Sequence, residues 1–369
     1  MENPGKQHIE KLTTAVSMTQ SPVGIRSLDA KVLKLVKKEG NPLVRSDQAY
    51  FFFFSNSEAD VSLIGDWNKW NPNTEKLERL NDASSIYCLV KEFPIDAGLP
   101  YRFVVNGESI LDPFNKTILH GPLGDNSYFG MPAYPHVQYW NEAVKKVKRG
   151  KIISFYIEGN ASVASREVHA YIPYGVRLNG AMRILYVNDG AEALTIGGFP
   201  NVLDNLYHYE PEVEKVVVIF VPPKDRHKEY MMNDSFASWF ANDLTKQAER
   251  TLGISSRANL RAVQGASLGG LLAAYIGLNH YNKFRNIIAQ SPSFWVDDFQ
   301  IVKDYAKSKK LPLRFFLHTG TINDGLEGGR KMLPILQDKG YNIEYRETNE
   351  SHNWANWAGQ YAEMMRWFQ

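Results

Sequence analysis

The sequence is short of cysteine, of net charge and of long apolar runs. Its single cysteine, Cys88, can form no intramolecular disulfide, so no oxidising compartment is implied. Its setting between Tyr87 and Leu89 reads as a buried strand position. Lys and Arg number 42 against 40 Asp and Glu, a net charge of +2, which gives no reason to expect nucleic acid or an acidic membrane as partner. No apolar run approaches the length of a membrane span. Residues 1–18 are polar and lack the apolar core of a signal peptide. The expectation is a soluble, cytoplasmic protein, with a secreted protein trimmed of its signal as the alternative. There is no H-E-x-x-H and no cysteine cluster, the nine histidines are scattered, and no Walker A or dinucleotide fingerprint stands in a suitable place. Neither metal nor cofactor is expected.

What is present is length and a change of periodicity. A chain of 369 residues exceeds the usual single core, so two domains are expected. Residues 1–27 lack clear periodicity and read as a loose tail. Leu28, Val32, Leu35 and Val36 recur at helical spacing up to Gly40 and Pro42. Short β-rich runs follow at 50–54, 61–64, 86–90 and 101–105, separated by turn residues such as Asn71-Pro72 and Asn106-Gly107. They predict a small Ig-like β-sandwich over 28–135. The stretch 130–140, with Pro132 and Pro135, reads as a linker.

From 136 to 369 strand-like and helix-like runs alternate. An antiparallel pair at 152–157 and 168–172 leads into apolar strands at 183–187, 216–221, 260–264, 287–290, 314–317 and 343–347. Helices are expected at 234–252, 268–278, 329–339 and 357–368. This predicts an α/β-hydrolase domain with a mostly parallel sheet.

The strongest chemical signal is Gly265-Ala266-Ser267-Leu268-Gly269-Gly270. It follows a strand and opens an Ala/Leu-rich helix, the context of a nucleophile elbow. Small flanking residues permit the tight turn. The serine then stands at the carboxyl end of a strand, with the Leu268 amide at a helix N-terminus able to hold an oxyanion. A serine needs a base, and in this fold class the acid and histidine follow it in the chain. Of His318 and His352, the second lies in a polar loop after the last strand and is the expected base. The acid belongs to the loop after 314–317, where Asp324 is the first carboxylate and Glu327 the alternative. The turn Asn188-Asp189-Gly190-Ala191 offers a second oxyanion amide, that of Ala191. Arg226 and Glu229, after another strand end, are expected to pair or to contact substrate. Trp295, Trp354 and Trp357 are candidates for an aromatic acyl pocket.

These motifs resemble the enterochelin (enterobactin) esterase family, in the group that includes esterase D and feruloyl esterases. The likeness runs through Gly40-Asn41-Pro42, Asp112-Pro113-Phe114-Asn115, Arg226-His227-Lys228-Glu229, the Ser267 elbow, Gln290-Ser291-Pro292-Ser293-Phe294-Trp295, and His352-Asn353-Trp354 with Trp357. Three positions depart from the family's ending: Ser351 stands where glycine is usual, Asn353 where Asp is, and Ala358 where Arg is. The resemblance implies a serine carboxylic-ester hydrolase that forms an acyl-enzyme on a siderophore ester. The alternative substrate is a feruloyl or acetyl ester on a polysaccharide. Gly65-Asp66-Trp67-Asn68-Lys69-Trp70 also resembles glycan-binding modules. A non-catalytic glycan-binding protein is therefore the reading from another class, though an intact Ser267 and His352 stand against it. The small domain is expected to serve as a packing domain.

Overall fold

The computed structural model describes residues 4–121, 124–135 and 144–369, with side chains from residue 9 onward. Residues 136–140 of the expected linker lie outside the described residues. Contacts divide the chain into two compact units, Met1–Pro135 with Asn349–Ser351, and His136–Thr348 with His352–Gln369.

The first unit opens with two helices, Pro4–Met18 and Pro22–Glu39, where the sequence reading expected a loose tail to residue 27. The apolar positions are sparse but helically spaced, and Ile9, Val16, Ile25 and Val32 are all buried. Ser21 caps the second helix by accepting from Gly24 N, and Pro22 follows at its first position. Ile9, Val16, Val32 and Val36 pack on Leu43, Tyr50, Phe52 and Cys88. Burial pushes the Cys88 thiol up to about 12.

Behind these helices lie two antiparallel sheets. One is built on Gln48–Phe54 paired with Ile86–Glu92, the other on Val61–Gly65 paired with Gly98–Val105. Trp67 leaves the strand in a short 3-10 turn, Asp66–Asn68. It packs among Phe51, Phe93 and Phe129, and its Nε1 donates to Glu75 at 2.6 Å. Trp70 Nε1 donates to Asp66 at 2.7 Å.

Two of the quoted motif segments and the strand residue Tyr101 meet in one buried knot. Asn41 Nδ2 donates to Asp112 Oδ2 at 2.6 Å, Tyr101 Oη donates to the same oxygen at 2.6 Å, and Asn115 Nδ2 donates to Tyr101 Oη at 3.1 Å. Burial raises the Asp112 carboxyl to about 6, against the pull of these donors.

The second unit is an α/β-hydrolase-like fold on an eight-stranded mixed sheet. Lys151–Ile157 pairs antiparallel with Arg166–Ile172, which pairs antiparallel with Val217–Val221. From there Val217–Val221, Ile184–Asn188, Arg261–Ala266, Asn286–Gln290, Arg314–Gly320 and Asn342–Thr348 run parallel. Strands buried on both faces read as unbroken apolar runs, and Val217–Val221 (VVIFV) is one. The helix Leu268–Asn279 is apolar on nearly every side and mostly buried. The helices Phe199–Tyr209 and Val296–Lys307 were not read from the sequence. The second contains three consecutive left-handed residues, Asp297, Asp298 and Phe299, which break its periodicity. Among the described residues no helix is long and apolar enough to cross a membrane.

Candidate active site

Ser267 stands between the strand Arg261–Ala266 and the helix Leu268–Asn279 with φ 58° and ψ −123°. For a residue with a Cβ this is a strained backbone, worth about 1–3 kcal/mol, and it persists where surrounding structure enforces it. The enforcement is visible. Ser267 N donates to Gln290 O at 2.9 Å, and Ser267 O accepts from Ser293 N at 3.0 Å. A Cβ on Gly265 would lie 2.2 Å from Gly269 O, so the elbow closes only with glycine there. The first-turn amides of the following helix, Leu268 among them, have no partner within the helix. The Ser267 hydroxyl hydrogen-bonds Ser293 Oγ at 3.3 Å, not His352.

His352 follows the last strand, and its Nδ1 lies 2.6 Å from Asp324 Oδ1. Of the two candidate acids it is Asp324 that the fold brings to the imidazole. Glu327 lies in the first turn of the helix Leu326–Asp338 beside Lys331 and is largely exposed. Asp324 Oδ1 also accepts from Gly325 N at 2.7 Å, and Oδ2 from Gly320 N and from Ser291 Oγ, each at 2.6 Å. Burial works to raise this carboxyl, but the bonds from His352, Ser291 and the Gly325 amide outweigh it and hold it below the usual range. His318 is fully buried, with its pKa pushed down to about 4 by burial, so it is a neutral core histidine.

Asn353, where the resemblance leads one to expect Asp, caps the helix Trp354–Gly359 by accepting from Asn356 N at 3.1 Å. Asp and Asn cap about equally well, so this departure preserves the start of the helix.

The turn that carries Ala191 is tied to the elbow. Asn188 Nδ2 donates to Gly269 O at 3.0 Å. A Cβ on Gly190 would lie 2.3 Å from Val221 N, so the turn needs glycine. Asp189, left-handed at φ 52°, is buried, and Arg226 grips it with two bonds of 2.7 and 2.9 Å. The Asp189 carboxyl is raised by burial, with Arg226 opposing. The Arg226 side chain stays 39% exposed, and its guanidinium reaches Ala266 O at 3.5 Å, one residue before Ser267.

The expected pairing of Arg226 with Glu229 is corrected here. Arg226 pairs with Asp189 rather than Glu229. Glu229 is buried and held at 2.7 and 2.8 Å by Arg166, which is itself wholly buried. A buried carboxylate that far out of water needs a paired cation, and Arg166 supplies it in place of Arg226. The sequence distance to Arg166 hid the pair. Of the tryptophans, Trp295 is 61% exposed. Trp354 packs edge-on against Trp357 at 5.1 Å. Trp357 is buried and donates through Nε1 to Ser291 at 3.0 Å. Ser291, Ser293 and Asp189 were not singled out as site residues, and only the family-like turn and the Asp-Gly pair pointed towards them.

A family model described as a putative esterase matches residues 160–368, more than half of the chain. The iron(III) enterobactin esterase of Dickeya dadantii is 26% identical over 151 residues, covering 36% of this chain and 35% of that protein. The chain thus spans about a third of that relative's length. The enterobactin esterase of Shigella flexneri, solved in the presence of enterobactin, is similar in structure with a TM-score of 0.70 at 19% identity, covering 87% of this chain and 92% of that one. The feruloyl esterase module of Clostridium thermocellum, in complex with sinapinate, follows at TM-score 0.51 and 15% identity, covering 64% of this chain and 93% of that one.

Proposed function

Because this chain belongs to the putative esterase family, we propose that it is a carboxylic ester hydrolase that acts through an acyl-enzyme on Ser267, with His352 as general base and Asp324 as orienting acid. The observation that carries this reading is the strained elbow at Ser267 in the same fold as a formed Asp324–His352 pair. On substrate binding the Ser267 hydroxyl turns from Ser293 to the free nitrogen of His352, which takes its proton as the oxygen attacks the ester carbonyl. The amides of Leu268 and Ala191 receive the oxyanion. The imidazolium, stabilised by Asp324, returns the proton to the leaving alcohol. Water then repeats the sequence on the acyl-enzyme.

For the substrate we favour a siderophore ester. The support is the likeness to enterobactin esterases over most of the chain and the half-exposed Arg226 with the exposed Trp295, chemistry suited to an anionic aromatic group. An aryl or acetyl ester on a polysaccharide is the second reading, favoured by the feruloyl esterase likeness. The two antiparallel sheets of the first unit are consistent with an Ig-like sandwich. Trp67, locked in its aromatic cluster, supports a packing role for that unit over sugar binding. We place the enzyme in the cytoplasm, in keeping with its lone buried thiol. A screen of catecholate, feruloyl, acetyl and p-nitrophenyl esters on purified protein tests the assignment. The highest kcat/KM on a catecholate ester supports the siderophore reading, and a preference for feruloyl or acetyl esters transfers the assignment to the second.

A further inference from the structure

The catalytic roles proposed above leave one buried polar chain without a task. Ser291 is fully buried in the turn after the strand Asn286–Gln290, left-handed at φ 40°, with its own N–H fixed to His318 O at 2.7 Å. Its hydroxyl receives the Trp357 indole N–H at 3.0 Å and donates to Asp324 Oδ2 at 2.6 Å. The other oxygen of that carboxylate meets His352. The Trp357 ring stands perpendicular to the imidazole, with centroids 5.1 Å apart. One indole thus touches the acid through Ser291 and the base directly.

We infer that Ser291 and Trp357 are positioning residues that set the orientation of the Asp324–His352 pair. The inference rests on the roles proposed above for those two residues. The physical reason is direction. A serine hydroxyl has one proton and two lone pairs. With the indole N–H occupying a lone pair, the proton is aimed at Asp324 rather than at a backbone carbonyl. That bond, with the Gly320 amide on the same oxygen, fixes the rotation of the carboxylate, so that Oδ1 faces the imidazole. The perpendicular indole ring beside it limits the tilt of the imidazole. A loose acid–base pair loses alignment with the attacking serine, and alignment is where such sites gain rate.

The experiment uses the full chain with a p-nitrophenyl ester and compares Ser291→Gly, Trp357→Phe, Asp324→Asn and His352→Ala. Glycine relieves the left-handed backbone while deleting the hydroxyl, which offsets part of the cost of leaving the Trp357 N–H and Asp324 Oδ2 each short of a partner. Phenylalanine keeps a ring beside His352 and deletes the indole donor. Ser291→Gly should lower kcat about ten- to a hundredfold, with KM within about twofold. It should also move the acidic limb of kcat/KM to higher pH by about half a unit, because a carboxylate short of one donor holds the imidazolium proton more tightly. Trp357→Phe should shift the limb in the same direction. The other titratable group facing Asp324 is His318, which burial keeps neutral across the profile, and Arg346 on the neighbouring strand faces His318 in turn. Wild-type kcat and an unmoved limb in Ser291→Gly and Trp357→Phe, with Asp324→Asn and His352→Ala inactive, would overturn the inference and leave the catalytic roles standing. A melting temperature that falls with the pH profile unmoved would reduce both residues to structure and overturn it equally. Near wild-type activity in Asp324→Asn and His352→Ala would instead remove the roles themselves, and the inference with them.

Discussion

The imidazole of His352 and the carboxylate of Asp324 meet at 2.6 Å from positions 28 residues apart, each presented by a loop at the carboxyl end of a parallel strand. Asp324 is shielded from solvent while the His352 side chain is 39% exposed, the arrangement expected of a base that faces substrate with its partner behind it. Asp324→Asn should therefore lower kcat by about three to four orders of magnitude, since an amide there favours the wrong tautomer of the ring. Glu327→Gln should stay close to wild type. Steady-state kinetics on one activated ester decides between them, and a larger loss in Glu327→Gln would contradict the assignment.

The elbow and the residues proposed as base and acid could be picked out in the sequence because each signal is local: small residues around a serine, a histidine in a polar loop, a carboxylate soon after a strand. The pairings across the sheet were not. Arg166 and Glu229 are joined over 63 residues, and nothing in either neighbourhood announces the other. Nor did the sequence reveal the helix Pro4–Met18, whose apolar positions stand among Lys, Thr and Gln and become a stripe only when Leu43 and Phe52 lie beneath them. The antiparallel edge of the main sheet was read only as the pair 152–157 and 168–172, since pairing with Val217–Val221 depends on the long connection from Ile172 to Val217.

The buried Arg166–Glu229 pair predicts a separation of stability from catalysis. Glu229→Gln leaves Arg166 without its countercharge and should cost roughly 3 kcal/mol in unfolding free energy, read as a lower melting temperature, with KM unchanged. Arg226→Ala should do the opposite in kinetics, raising KM for an anionic ester more than for a neutral one. A KM effect in Glu229→Gln without loss of stability would return that residue to the substrate site.

The knot at Asp112 predicts a pH signature in the first unit. A carboxyl whose pKa is raised on folding, here to about 6 through burial, binds its proton more tightly in the folded than in the unfolded chain. Its stabilising contribution is complete below about pH 4 and is lost as pH rises through about 6, a change of about 2–3 kcal/mol. Thermal unfolding of the full chain between pH 4 and pH 7 should show the wild type losing ground to Asp112→Asn as pH rises. A difference between the two that is constant across this range would contradict the burial argument.

The central claim is that Ser267 is the nucleophile, and intact-mass spectrometry after treatment with a fluorophosphonate measures it most directly. The account predicts one adduct per chain, located on the peptide containing Ser267, with loss of ester hydrolysis in step with labelling. It predicts no adduct on folded Ser267→Ala, whose activity should fall by several orders of magnitude. Stoichiometric labelling elsewhere, or a Ser267→Ala protein that keeps more than about a tenth of wild-type activity, would contradict it.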